Sequence, residues 1–224
     1  MRKFVRESSL SLVFGLLFLG ALVGQAVAGW KLFNAEQAAE GLGRLTLAHY
    51  LVSADFAVDV AENWQSEYLQ FLLYLLLTVW LLQKGSPESK ELGSAGRESE
   101  EEQKIGRHAT AESPRWARVG GWRTSVYSSS LALAMGAIFL ASWLTQSIAG
   151  VAAFNEEQLG NLEDPMSPGQ YLMAPDFWNR TLQNWQSELL AVASMAILPI
   201  FLRQRGSPQS KPVGTAHDAT GVEG

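Results

Sequence analysis

The 224-residue sequence contains no cysteine and only three histidines, and these shortages exclude several kinds of site. Without cysteine, the chain can form neither a disulfide framework nor a thiolate metal centre. The histidines, His49, His108 and His217, lie far apart in the sequence and show no metal-ligand spacing. No Ser-His-Asp, paired-histidine or HExxH-like arrangement is present either. We therefore expect no metal, no cofactor and no enzymatic activity.

Charged residues are nearly absent from four blocks, at about residues 8–29, 67–82, 128–151 and 188–202. A membrane-spanning helix needs about 20 mostly apolar residues, so the first and third blocks are long enough, whereas the second and fourth look short. The mean hydropathy of +0.03 conceals this division. The pattern predicts an all-α integral membrane protein with four transmembrane helices, and hence the lipid bilayer as a partner.

The first apolar block has two readings. Arg2, Lys3 and Arg6 before an apolar run that ends in Ala26-Val27-Ala28 resemble a cleavable signal peptide. The run is longer than the usual signal core, and a matching block lies in the middle of the chain. We therefore expect both blocks to be retained as helices.

The sequence repeats itself after 121 residues. Residues 5–90 align with residues 126–211 without a gap, and about 32 of the 86 positions are identical. Each copy contains two apolar blocks, so the second copy enters the membrane in the same direction as the first. This predicts a tandem parallel duplication of a two-helix unit. The expected domains are a first membrane repeat (1–90), a flexible cytoplasmic linker (91–121) rich in Glu, Ser, Gly and Arg, a second membrane repeat (122–211) and a disordered tail (212–224).

Basic residues are unevenly distributed between the loops. The N-terminus, the central segment and the C-terminus hold nearly all of them, and the two other loops hold only Lys31, Arg44 and Arg180. Loops rich in Lys and Arg stay on the cytoplasmic side. We expect a multi-pass protein of the bacterial inner membrane with both termini in the cytoplasm.

The pentapeptide Asn-Trp-Gln-Ser-Glu occurs twice, at residues 63–67 and 184–188, just before an apolar block. A continuous helix from Gln83 back to Glu67 would rise about 24 Å, within a hydrocarbon core about 30 Å thick. Gln25 lies equally far from the start of its own helix. We expect Gln25–Glu67 and Gln146–Glu188 hydrogen bonds and a polar cluster near the outer face, which consists of Gln25, Asn63, Glu67, Gln146, Asn184 and Glu188. Either these groups only hold helices together near the headgroups, or the glutamates carry a proton or an ion.

Three other patterns concern helix packing and helix ends. Small residues at four-residue spacing predict close helix packing, at Gly20, Gly24 and Ala28 and at their counterparts Ala141, Thr145 and Ala149. Four tryptophans, Trp30, Trp64, Trp178 and Trp185, fit an interfacial belt. Asp55 and Asp176 are expected to cap the second helix of each copy.

Several of these motifs are shared with a known family. With Ser-Leu-Ser-Leu-Val-Phe at residues 9–14, Gly24-Gln25, the repeated pentapeptide and the Gly-Ser-Pro-x-Ser-Lys end of each copy, the chain resembles an uncharacterised bacterial integral-membrane family, domain of unknown function 6766. The resemblance covers both copies. It implies a bacterial inner-membrane protein and supplies no activity.

The first functional hypothesis is a structural, interaction or stress-related role. Its candidate partners are another membrane protein or a second copy of the chain, and nucleic acid is not among them. The alternative is a small transporter or proton-coupled channel that uses Glu67 and Glu188.

Overall fold

The computed structural model describes residues 2–39 and 41–224, and all regular secondary structure in those residues is helical. The all-α prediction is therefore confirmed for the described part of the chain. A short 3₁₀ turn spans Gly106–His108. The helices, in chain order, are α1 (Arg2–Glu7), α2 (Ser9–Ala39), α3 (Leu47–Tyr50), α4 (Ala54–Leu77), α5 (Arg115–Arg118), α6 (Gly121–Ser128), α7 (Ser130–Gly160), α8 (Pro168–Tyr171) and α9 (Pro175–Phe201).

Two of the described helices, α2 and α7, are long and apolar enough to cross a membrane. Each has 31 residues and is therefore about 46 Å long. Their apolar side chains point outward: Leu10 is 72 % exposed and Leu144 is 61 % exposed. In water such a surface would be unfavourable, so its exposure is consistent with a lipid environment. Helices α4 and α9, with 24 and 27 residues, do not meet the same criterion, because their first halves are polar.

The starts of α4 and α9 differ from the sequence expectation. Helix α4 begins at Ala54, and the Ser53 hydroxyl accepts a hydrogen bond from the Phe56 amide at 3.3 Å. The cap of α9 is Ala174, which is followed by Pro175 at the first helical position. The prediction that Asp55 and Asp176 are caps is therefore wrong. Both aspartates lie inside the first turn, where a negative charge favours the positive end of the helix dipole.

The chain divides into two compact units, and each is described by itself. The first comprises Met1–Val60 and Thr145–Tyr171, and the second comprises Ala61–Leu144 and Leu172–Gly224. In the first unit, two asparagines at equivalent positions of the repeat hold the loops that follow α2 and α7. The Asn34 side chain donates to the Leu45 carbonyl at 3.0 Å and accepts from the Leu45 amide at 2.7 Å. Asn155 makes the same two bonds to Met166, at 2.9 and 2.7 Å.

Two tyrosines of the first unit also have equivalent surroundings. Tyr50 is 2 % exposed and Tyr171 is 1 % exposed, and each packs on a phenylalanine ring 5.7 or 5.5 Å away. A Cβ added at Gly29 would collide with the Tyr50 hydroxyl, and one added at Gly150 would collide with the Tyr171 hydroxyl. Glycine at both positions therefore allows a tyrosine to approach the helix backbone closely.

In the second unit, the segments after α4 and α9 form similar turns. Gly85 and Gly206 have φ values of 84° and 83°, a left-handed conformation that favours glycine. The hydroxyls of Ser89 and Ser210 each accept a backbone amide hydrogen bond at 2.9 Å, from Gln83 and Gln204. The same local sequence thus gives the same turn twice.

Two regions expected to lack fixed structure have local contacts in the second unit. The linker at 91–121 contains α5 and the Gly106–His108 turn. In the stretch 212–224, the Thr220 hydroxyl accepts a hydrogen bond from the Gly85 amide at 2.8 Å. The flexibility of the linker and the disorder of the tail stay predictions.

Candidate functional site

The glutamates of the two pentapeptides meet within the second unit. Glu67 lies in α4 and Glu188 lies in α9, at equivalent positions of the repeat. Their carboxyl groups lie near each other, with Glu188 partly buried and Glu67 exposed. Two carboxyl groups can hydrogen-bond only when one of them carries a proton, because two carboxylates offer only acceptors. This carboxyl pair is the core of the candidate site.

A buried amide lies two residues before Glu67 in the same pentapeptide. Gln65 is 0 % exposed, and its Oε1 accepts a hydrogen bond from the Trp185 indole at 2.8 Å. Its Nε2 has no hydrogen-bond partner among the described residues. The equivalent Gln186 is exposed, so the two pentapeptides have equivalent sequences and different surroundings.

An ion pair joins the same two helices before the pentapeptides begin. The Arg180 Nε lies 2.8 Å from the Glu62 Oε2, and the two side chains are 35 % and 15 % exposed. Arg180 also offers its backbone carbonyl to the Asn184 side chain at 2.9 Å. The ion pair balances the Glu62 charge and leaves the carboxyl pair as a separate acidic group further along α4 and α9.

The sequence-predicted polar cluster is divided between the two units. Asn63, Glu67, Asn184 and Glu188 belong to the second unit, whereas Gln25 and Gln146 belong to the first. Gln25 is exposed and Gln146 is 1 % exposed. The Gln25–Glu67 and Gln146–Glu188 hydrogen bonds connect residues of different units and stay predictions.

The depth expectation assumed longer helices than the structure has. Helix α4 ends at Leu77, ten residues after Glu67, which gives a helical rise of about 15 Å. Helix α9 ends at Phe201, thirteen residues after Glu188, which gives about 20 Å. Both values are smaller than the 24 Å that a helix continuing to Gln83 would give, because the second helix of each copy ends before the Gly-Ser-Pro turn that follows it.

The remaining predicted groups have varied environments. Apart from the chain neighbours and the local helix backbone, no described atom lies within 4 Å of a Cβ added at Gly20 or Gly24, whereas Ala149 is 9 % exposed. The packing role of the two small-residue stripes, which also include Ala28, Ala141 and Thr145, stays a prediction.

Of the belt tryptophans, Trp30 and Trp178 donate their indole hydrogens to the carbonyls of Leu45 and Leu172, and Trp64 is 40 % exposed.

Sequence reasoning missed two contacts of this site, namely Trp185–Gln65 and Glu62–Arg180. A signal existed for both. Gln65 stands inside the repeated pentapeptide, and Arg180 is the only basic residue from residue 124 to residue 202. The tryptophans, however, are typical of an interfacial belt, and Arg180 counts in the sequence only toward the orientation of the chain in the membrane.

The family follows from comparison of the sequence with known families. A family model described as domain of unknown function (DUF6766) matches residues 1–222. The chain belongs to the DUF6766 family. This confirms the resemblance drawn from the pentapeptide and the Gly-Ser-Pro-x-Ser-Lys ends, and the family is one without an assigned function. Searches of curated proteins and of solved structures find no match.

The carboxyl pair gives the candidate site of this DUF6766 chain its acid–base chemistry. The described residues contain no group of three His, Asp or Glu side chains that could hold a metal ion. Two adjoining carboxyls can take up one proton, share it between them and release it again. The Glu62–Arg180 ion pair keeps a fixed charge balance and is not available for the same exchange.

Proposed function

We propose that this DUF6766 protein is a proton-coupled membrane protein, a small transporter or channel, in which the Glu67–Glu188 pair takes up and releases one proton. The observation that carries the proposal is the proximity of the two carboxyl groups, at equivalent positions of the repeat. An ionised carboxylate in a membrane is costly unless it is paired or protonated. A proton shared by two carboxyls lowers that cost and is exchangeable. The proposed cycle requires no covalent chemistry and no cofactor.

The proposed setting is the bacterial inner membrane, with four spanning helices and both termini in the cytoplasm. Helices α2 and α7 are apolar and long enough to span. We assign the other two spans to α4 and α9, because each follows its partner helix within one copy of the 121-residue repeat. The basic residues of the N-terminus, linker and C-terminus support the orientation.

The depth of the carboxyl pair supports a functional role for it. If α4 and α9 end near the inner edge of the hydrocarbon core, the helical rises of about 15 and 20 Å put the pair close to the middle of a core about 30 Å thick. Ionisable groups at such depth usually belong to pathways for protons, ions or substrates.

Proton flux into proteoliposomes tests this function. The chain is reconstituted with an internal pH dye, a potential is applied, and the parent is compared with the Glu67→Gln, Glu188→Gln double variant. We expect flux in the parent and its loss in the double variant. The matched control is Glu36→Gln with Glu157→Gln, which removes the same charge from equivalent exposed positions of the repeat and should retain flux. Equal flux in all three proteins would contradict a role for the pair.

The second candidate function is a structural or interaction role in the membrane. It is favoured by Gly20 and Gly24 of α2, where an added Cβ would meet no described atom within 4 Å beyond its chain neighbours and the local helix backbone. Small residues at this spacing permit another helix to pack closely. Absence of flux in the parent, together with a loss of self-association when Gly20 and Gly24 are replaced by leucine, would favour this role over transport.

A further inference from the structure

Two short helices just before α7 form a closed hairpin in the second unit. Helix α5 and helix α6 are joined by Val119 and Gly120, and the Thr124 hydroxyl of α6 donates to the Trp116 carbonyl of α5 at 2.7 Å. The inner side chains, Ala117 and Thr124, are 5 % and 7 % exposed. The polar bond and the small inner side chains hold the two helices against each other. Residues 115–128 are named the Trp/Arg hairpin.

The outer surface of the Trp/Arg hairpin is apolar and aromatic. Trp116 is 42 % exposed and Trp122 is 66 % exposed, and their rings meet edge to face with centroids 6.1 Å apart. Val119 and Tyr127 are also exposed, at 49 % and 41 %. A cluster of this kind on a protein surface indicates a place where another surface docks. Tryptophan and tyrosine, which have an apolar body and a polar edge, are the residues preferred at a membrane–water interface.

The charged residues of the Trp/Arg hairpin itself are all basic. Arg115, Arg118 and Arg123 lie within the Trp/Arg hairpin, and the Arg123 guanidinium lies 5.5 Å from the centre of the Trp122 ring. No acidic residue occurs in the sequence from residue 113 to residue 154. The occupant of this surface should therefore be apolar on one side and negatively charged on the other.

We propose that the Trp/Arg hairpin is a binding surface for anionic phospholipid. The tryptophans of the hairpin lie among the headgroups, and its arginines pair with headgroup phosphates. Basic residues near an anionic leaflet are attracted to it, and exposed tryptophans add interfacial affinity. Only Ser129 separates the end of the hairpin at Ser128 from the start of α7 at Ser130, so a spanning α7 would bring the hairpin to the membrane surface. In this respect the inference rests on the proposed membrane setting.

A single introduced cysteine tests the proposal, because the chain contains none of its own. Val119→Cys, labelled with a fluorophore, is placed in nanodiscs that contain a constant fraction of brominated phosphatidylcholine, with or without phosphatidylglycerol. We expect bromine quenching at position 119 to rise when phosphatidylglycerol is present. Arg115→Gln, Arg118→Gln and Arg123→Gln together should abolish most of that rise.

The linker supplies a matched control. Arg97→Gln, Lys104→Gln and Arg107→Gln together remove the same charge from a segment outside the hairpin, and this variant should keep the full rise. Quenching at position 119 that does not change with phosphatidylglycerol would overturn the proposal. An equal loss of the phosphatidylglycerol-dependent rise in both triple variants would also overturn it. A label that responds instead to a soluble oligonucleotide or an acidic protein would also overturn it, since the partner would then be a different macromolecule.

A second label separates failure of this inference from failure of the membrane setting. Leu140 is near the middle of α7 and is 60 % exposed, so a fluorophore at Leu140→Cys reports whether α7 is inserted. Strong quenching at position 140 with no lipid dependence at position 119 would reject the hairpin proposal alone. Absence of quenching at position 140 would reject both.

Discussion

Asn34 in α2 and Asn155 in α7 each bind the loop that follows their helix with the same pair of hydrogen bonds. In the segments after α4 and α9, by contrast, the equivalent lysines Lys90 and Lys211 have different partners. Lys90 is partly exposed, donates to the Gly96 carbonyl at 2.8 Å and forms an ion pair with Glu98. Lys211 is 1 % exposed. It donates to four carbonyls, those of Gly85, Ala216, His217 and Ala219, at 2.7–3.1 Å.

The difference shows where a repeated sequence does and does not determine a repeated environment. The asparagine contacts and the tyrosine–glycine contacts form within one short segment, and both copies retain the residues involved. Apart from the Gly85 carbonyl, the lysine contacts involve residues that come after each copy: an acidic, Glu-rich stretch after Lys90 and the 212–224 tail after Lys211. Substitutions at four sets of residues test this contrast, and their effects should decrease in the order given.

The largest effect is expected at Lys211. Replacing Lys211 with methionine leaves four carbonyls without their charged donor, and we expect the tail to lose about 3 kcal/mol of local stability. Hydrogen exchange at residues 212–220 and at the Gly85 amide measures this loss. Lys90→Met is the control and should cost less than about 1 kcal/mol, because an exposed ion pair contributes little. Equal effects of the two changes would remove the contrast between the copies.

The next effect is expected at the glycines opposite the buried tyrosines. Alanine in place of glycine inside a helix normally stabilises by about 1 kcal/mol. Gly29→Ala and Gly150→Ala should instead each destabilise by about 1–3 kcal/mol, because the new methyl group collides with a tyrosine hydroxyl. Thermal unfolding in detergent measures the change.

Removing the hydroxyl checks this explanation. Tyr50→Phe combined with Gly29→Ala, and Tyr171→Phe combined with Gly150→Ala, should each recover part of the lost stability. A clear difference between the two copies, or a gain from either glycine change alone, would contradict the equivalence of these contacts.

A smaller effect separates the two pentapeptides. Gln65→Ala removes a fully buried amide and leaves the Trp185 indole hydrogen without its acceptor, at a cost of about 1–2 kcal/mol. Gln186→Ala changes an exposed side chain and should stay within about 0.5 kcal/mol of the parent. Denaturant unfolding of both variants in the same detergent gives the comparison, and equal losses would show that the surroundings of the two glutamines do not differ.

The smallest effect concerns pH. Burial, and then the nearby charges of Asp59, Asp55 and Glu36, raise the pKa of Tyr50 above its ordinary value. The folded state therefore holds the tyrosine proton more tightly than the unfolded chain does, so this stability is complete below about pH 10 and is lost as pH rises through the folded pKa. The alkaline decrease in unfolding temperature should be smaller in Tyr50→Phe than in the parent. An identical decrease in both would show that Tyr50 does not titrate this way.

The sequence predicted the helical class and the family, and it marked the pentapeptide as an unusual feature. It did not predict how far the helices extend. Helix α2 continues to Ala39 and α4 begins at Ala54, both well outside the apolar blocks. An apolar block reflects contact with lipid or a core, whereas a helix continues through polar residues as long as its backbone hydrogen bonds and caps are favourable.

The site was only partly predictable for a related reason. A repeated sequence predicts equivalent contacts between equivalent residues, such as the hydrogen bonds of Asn34 and Asn155 to the loops. The Glu62–Arg180 ion pair has no such equivalent, because Gln183 stands at the position that matches Glu62 and Asp59 at the one that matches Arg180. Contacts of this kind follow from the packing of α4 and α9, which a single sequence does not specify.

Infrared spectroscopy of the reconstituted chain detects whether Glu67 and Glu188 share a proton. A protonated carboxyl has a C=O stretching band separate from the carboxylate bands, and the band shifts in deuterium oxide. We expect such a band in the parent and in the Glu36→Gln, Glu157→Gln control, and its loss in the Glu67→Gln, Glu188→Gln double variant. A parent spectrum without the band, or a band that survives in the double variant, would contradict the shared proton.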